Sequence, residues 1–120
     1  MLPAEQRLRK NEDFRVVYKR GRSYVGDLAV LYILRRPDPP DGAQSRRIGF
    51  VVSKKLGDAV VRNRIKRRLR EAVRLMLPLL REGQYDLIFV GRSKLKEATW
   101  SEVQAAVTDL FRRAKLLSEA

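Results

Sequence analysis

A chain of 120 residues, 44% of them hydrophobic, is large enough to fold as one domain spanning 1–120. Its 27 Lys and Arg against 14 Asp and Glu leave a net charge of +13, a self-repulsion that suits a polyanionic partner better than it suits folding. The absence of both Cys and His excludes disulfides, thiolate or imidazole metal sites, and nucleophile pairs that use histidine as base. No apolar run approaches the roughly 20 residues that span a bilayer, and "MLPAEQRLRKNEDF" lacks the apolar core of a secretory signal. A soluble cytoplasmic protein with no membrane partner is the expectation.

In chain order, a short extended arm leads into "NEDFRVVYKRG", which reads as a helix of about three turns. Asn11 can cap it, Glu12 and Asp13 suit its positive end, and Gly21 can close it. Phe14, Val17 and Tyr18 fall on one face. Ser23 to Val25 can add a short strand before "DLAVLYILRR". That segment places Leu28, Val30, Tyr32 and Leu34 on one face and Ala29, Leu31 and Ile33 on the other, as an interior strand would. "PDPPDGAQS" is a loop, and its Pro-rich part at 37–42 suggests no function. A strand "RRIGFVVS" follows, then a basic helical segment, a break at Pro78 and Gly83, and a strand "YDLIFVGR". In "TWSEVQAAVTDLFRRAKLL", Thr99 and Glu102 match a capping box, and Val103, Ala106, Val107, Leu110, Phe111 and Ala114 form the buried stripe. The elements predict an α+β domain: about four strands in one sheet, with three helices, as a two-layer α/β sandwich.

The segment "KKLGDAVVRNRIKRRLREAVR", residues 54–74, carries nine basic and two acidic residues. On a helix over 61–76, Val61, Ile65, Leu69, Ala72, Val73 and Met76 gather on one side. Arg62, Asn63, Lys66, Arg67, Arg70 and Arg74 take the opposite side, with Arg64 and Arg68 flanking the apolar stripe. Such a helix docks by one side and offers phosphates a rigid cationic row with the other. A solvated surface helix is the competing reading, but it would carry acidic partners at helical spacing, and these are nearly absent. Asn63 can both donate and accept, so it adds possible readout of a base edge or 2′-hydroxyl.

"SKKLGDAVVRNRIKRRLRE" resembles the signature of the protein subunit of bacterial ribonuclease P, with its Lys-Lys-x-Gly, Ala-Val, Arg-Asn-Arg and Lys-Arg series. "LRKNEDFRVVYKRGRS", "RIGFVVSKK" and "YDLIFVGR" are similar to the same family in the same order, so the resemblance covers almost the whole chain. It implies a fold like that of a ribosomal small-subunit protein and of translocation factor G, with a left-handed strand–helix–strand crossover where handedness rules alone predict a right-handed one. It also implies that the basic helix packs against the ribozyme RNA through Lys54, Lys55, Arg62, Asn63, Arg64, Lys66 and Arg67. Arg68 and Arg70 extend that row.

A separate cleft between the first helix and the sheet would bind the single-stranded 5′ leader of precursor tRNA. Phe14, Tyr18 and Tyr32 match its aromatic positions, although pattern alone would assign them to the core. Aromatic faces stack unpaired bases for roughly 1–3 kcal/mol each, without sequence preference. Asp58, just before the basic helix, reads as its cap.

The implied reaction is Mg²⁺-dependent hydrolysis that removes the leader to give mature tRNA 5′ ends. The chemistry and the metal would lie with the RNA subunit, and the protein would have no catalytic or metal-binding residue. It would be a monomer alone and pair one-to-one with ribonuclease P RNA, with precursor tRNA as the second partner. A ribosomal or general RNA-binding protein of the same fold is the alternative. A protein nuclease acting alone lacks support, since Asp13, Asp58, Glu71 and Asp86 form no paired acidic motif.

Overall fold

The alternating and helical patterns resolve into seven main elements in a computed structural model that describes residues 7–37 and 46–118. These are α1 (Asn11–Arg20), β1 (Arg22–Val25), β2 (Ala29–Arg35), β3 (Arg46–Val51), α2 (Ala59–Met76), β4 (Tyr85–Gly91) and α3 (Trp100–Arg113). The start of the N-terminal arm and the Pro-rich loop from residue 38 onward lie outside the described residues.

The strands form one sheet in the order β1-β2-β4-β3. β2 pairs antiparallel with both β1 and β4, which makes it the interior strand its doubly apolar sequence predicts. β3 and β4 run parallel, so the chain must cross over between them, and α2 is that crossover. Register then sorts the side chains. Leu31, Ile48, Leu87 and Phe89 share a face with the buried residues of α2 and α3. Tyr32, Ile88 and Val90 share the other with Val17 of α1. Helices α2 and α3 thus form the layer against one face, and α1 lies on the other together with Leu8 of the arm. Phe89 anchors the larger core, stacked on Phe50 (5.9 Å) and edge-on to Phe111 (5.5 Å).

Local signals mostly act as expected. Thr99 Oγ1 accepts from the Glu102 amide at 3.2 Å while the Thr99 amide donates to Glu102 Oε1 at 2.8 Å, completing the capping box. That pairing holds the Glu102 carboxyl below the ordinary range, first through the bond from the Thr99 backbone. The cap of α1 differs from expectation. Asn11 is already helical, and Lys10 occupies the N-cap with no side-chain bond. The cause lies upstream, where the Leu8 amide donates to Ile48 O at 2.9 Å and holds the arm extended along β3. The last extended residue is then Lys10, whose carbonyl accepts from the Phe14 amide.

Candidate nucleic-acid interface

The basic helix is set by the turn before it. Gly57 has φ +146°, a conformation that disfavours side chains, and a Cβ there would lie 2.8 Å from Val61. Asp58 follows as N-cap, its Oδ1 accepting from the Val61 amide at 3.0 Å. Upstream, Lys54 and Lys55 stand exposed on a 3₁₀ turn that buried Leu56 pins to the core. Ile65, Leu69, Ala72 and Val73 bury one side of α2. Asn63, Arg64 and Arg67 are exposed, whereas Arg62, Lys66, Arg68 and Arg70 are half-buried. Among the described residues none of these six cations has an ion-pair partner; Glu71, the helix's own acid, pairs with Arg74. Arg62 Nε is screened from solvent yet has no hydrogen-bond partner among the described residues. The row is therefore uncompensated positive charge on a rigid support.

On the opposite face of the sheet, Phe14, Tyr18 and Tyr32 come together. Tyr18 packs edge-on to Tyr32 at 4.8 Å, and Phe14 lies 6.4 Å from Tyr18. Fully buried Val17 fixes α1 above Ile88, while Tyr18 keeps 42% of its surface exposed. Phe14 and Tyr32 are half-buried. Desolvation, and secondarily the neighbouring Tyr32, push the Tyr18 phenol above its ordinary pKa. Gly49 is the floor of this arrangement, for a Cβ there would sit 2.5 Å from the Phe14 ring. A lone glycine inside a strand signals such a close approach, and the sequence carried that signal.

Two further features were not evident in the sequence. Asp86, 3% exposed on the α1 face, receives a bidentate pair from Arg47 (2.9 and 2.7 Å), and Arg36 Nε lies 2.9 Å away. Arg47 also donates to Asp13 of α1 at 3.2 Å, so it ties helix to sheet beside the aromatics. The Asp86 hydrogen bonds raise the Arg47 pKa further above its ordinary value. The second feature is a hollow of about 140 Å³ at the edge of β3, where Arg7 and Arg9 of the arm and Phe14 of α1 meet Lys66 and Arg70 of α2. Arg70 also lies over the Phe50 ring at 5.7 Å. The aromatic face and the basic helix, expected as separate surfaces, thus adjoin around β3 through Lys66 and Arg70, and Asn63, Arg64 and Arg67 do not line the hollow.

A basic α+β domain with an uncompensated cationic helix and a half-open aromatic face belongs to the nucleic-acid-binding class. A family model described as Ribonuclease P matches residues 2–115. The ribonuclease P protein component of Clostridium novyi (strain NT) is 45% identical over 111 residues, covering 92% of this chain and 95% of that protein. That of Alkaliphilus oremlandii (strain OhILAs) is 41% identical, with 99% of each chain covered. Among solved structures, the RNase P protein of Staphylococcus aureus superposes with a TM-score of 0.81 at 32% identity, covering 94% of this chain and 98% of that one. The Thermotoga maritima protein gives a TM-score of 0.76 at 29% identity, covering 89% and 96%. The chain belongs to the ribonuclease P protein component family.

Proposed function

We propose that this protein assembles one-to-one with a ribonuclease P RNA through Lys54, Lys55 and the α2 residues Arg62, Asn63, Arg64, Lys66, Arg67, Arg68 and Arg70, and holds the 5′ leader of precursor tRNA across Phe14, Tyr18 and Tyr32. The observation that carries this reading is the pairing of two surfaces of different chemistry on one family scaffold. The α2 row offers charge with little stacking surface, which suits folded RNA. The α1 face offers ring surface open to solvent, which suits unpaired bases. Lys66 and Arg70, at the junction, can neutralise leader phosphates beside Phe14.

Bond cleavage belongs to the RNA subunit. We assign the Mg²⁺ that assists cleavage to the RNA subunit as well. By screening phosphates, the protein would help divalent ions bind there. No helix among the described residues is long and apolar enough to cross a membrane, and the work is assigned to the cytoplasm, with the tRNA precursors.

The test is cleavage and binding with purified components. Protein with Mg²⁺ should leave precursor tRNA intact until the RNA subunit is added; cleavage by protein alone would end this reading. Within the holoenzyme, Phe14→Ala should weaken precursor binding by about tenfold, the loss of one stacked base at roughly 1–3 kcal/mol, and leave mature tRNA binding nearly unchanged. Equal loss for both RNAs would mean that the aromatic face does not hold the leader.

A further inference from the structure

A third basic surface lies at the end of the sheet opposite the Arg-Asn-Arg turn of α2. Arg20, Arg22, Arg35, Arg81 and Lys115 converge on a groove of about 510 Å³ beside half-buried Tyr24. It sits where β2 ends and β4 begins, beneath the C-terminal turn of α3. Tyr24 pairs in register with Leu31, which places that wall of the groove on the α2 and α3 face, while Arg20 of α1 and Leu34 reach it from the other face. Because α2 runs antiparallel to its flanking strands, its Arg-Asn-Arg turn lies at the other end of the sheet. About 21 Å of helix rise separates Arg62 from Met76.

No carboxylate lines this groove, and among the described residues none of its five cations has an ion-pair partner. Arg35 and Arg81 are held in place, Arg35 by donating to Tyr85 Oη at 2.9 Å and Arg81 through Leu117 O at 3.4 Å. Arg20, Arg22 and Lys115 are exposed and make no such bond among the described residues.

Lys115 supplies a second observation. Helix α3 ends with the Leu116 amide donating to Phe111 O and the Lys115 amide to Arg112 O, a Schellman motif. Lys115 therefore holds the left-handed position that favours glycine, at φ +59°, the only such non-glycine among the described residues. A lysine there carries a conformational cost that a purely structural role would not require. It delivers a fifth cation to the groove.

We propose that this groove binds two or three consecutive phosphates of an RNA strand, a contact additional to α2 and the aromatic cleft. The strand belongs either to the RNA subunit or to the body of precursor tRNA. The proposal rests on the ribonucleoprotein reading above, and the experiment separates the two. Affinity is measured against salt concentration for two equilibria: protein with ribonuclease P RNA, and preformed holoenzyme with precursor tRNA. The variant is Arg20→Gln/Arg22→Gln/Lys115→Asn, which touches no packed side chain and keeps a residue tolerant of positive φ at 115. Its control, Arg15→Gln/Lys19→Gln/Arg112→Gln, removes equal charge from exposed helix positions outside the groove.

The groove variant should make the log-affinity against log-salt slope shallower by about 2–3 in one of the two equilibria. Loss in the first assigns the strand to the RNA subunit, and loss in the second assigns it to the substrate. A change no larger than the control's in both overturns the proposal. Wild-type protein that fails to assemble with the RNA removes the ribonucleoprotein reading, and the groove falls with it. Lys115→Gly should raise Tm while reducing the same slope by about one. A raised Tm with an unchanged slope removes Lys115 from the contact.

Discussion

The aromatic face depends on an atom that is absent. Gly49 leaves room for the Phe14 ring, so Gly49→Ala should either push Phe14 off its site or tilt α1. We expect a loss of about 1–3 kcal/mol in urea unfolding, the usual range for overpacking. Most of it should return in Gly49→Ala/Phe14→Leu, because the two positions share one contact. Strictly additive losses would mean that the ring does not rest on Gly49. Tyr18 gives a residue-scale test in pH. Its pKa is raised in the folded protein, so the neutral phenol is the form the fold favours. The stability it contributes is complete below the ordinary value of 10.0 and fades as pH rises through the folded pKa. The difference in 295 nm absorbance between wild type and Tyr18→Phe should therefore titrate above pH 10. A midpoint at or below 10 would show a fully solvated ring.

At the scale of elements, α2 has to dock while carrying an uncompensated cationic row, and its N-terminus decides whether it starts in the right place. Gly57 turns the chain and Asp58 caps it. Asp58→Ala should cost about 1 kcal/mol in chemical unfolding. Asp58→Asn keeps an acceptor at the N-cap and should cost much less, while removing the acid nearest the Arg-Asn-Arg turn and tightening RNA binding. Weaker binding by Asp58→Asn would show that the carboxylate assists the contact. Helix α1 is tied differently. Its cap carries no side-chain bond, and Arg47, spanning Asp86 and Asp13, secures it to the sheet. The position of α1 over the sheet thus rests on this ion-pair network together with the packing of Val17 on Ile88.

For the whole molecule, a net charge of +13 works against compaction and for RNA binding, so salt should move the two properties in opposite directions. Between low and moderate salt the free protein's Tm should rise by about 4 °C, equivalent to roughly 1 kcal/mol. RNA affinity should fall steeply over the same range. A Tm that fell alongside affinity would mean that the cations are paired in ways the fold does not show. The charge is also distributed over several surfaces. The α2 row and the groove beneath α3 each gather cations without matching carboxylates among the described residues, and the hollow at β3 brings Arg9 together with Lys66 and Arg70.

By itself the sequence determined whatever depends on local spacing. The 2-residue alternation of β2 made it interior, the helical spacing of Ile65, Leu69, Ala72 and Val73 docked α2, and Thr99 with Glu102 started α3. It also brought Phe14, Val17 and Tyr18 to one face, since helical neighbours are fixed by chain geometry alone. Only the tertiary structure decided which distant residues meet. Asp86 is an ordinary acid in sequence and becomes the buried partner of Arg47 because β3 and β4 pair in parallel register. Arg20, Arg22, Arg35, Arg81 and Lys115 form no run, and Phe14 lies 52 positions from Lys66. Sheet pairing and the α2 crossover bring each set together, because contacts of that range follow from topology and not from periodicity.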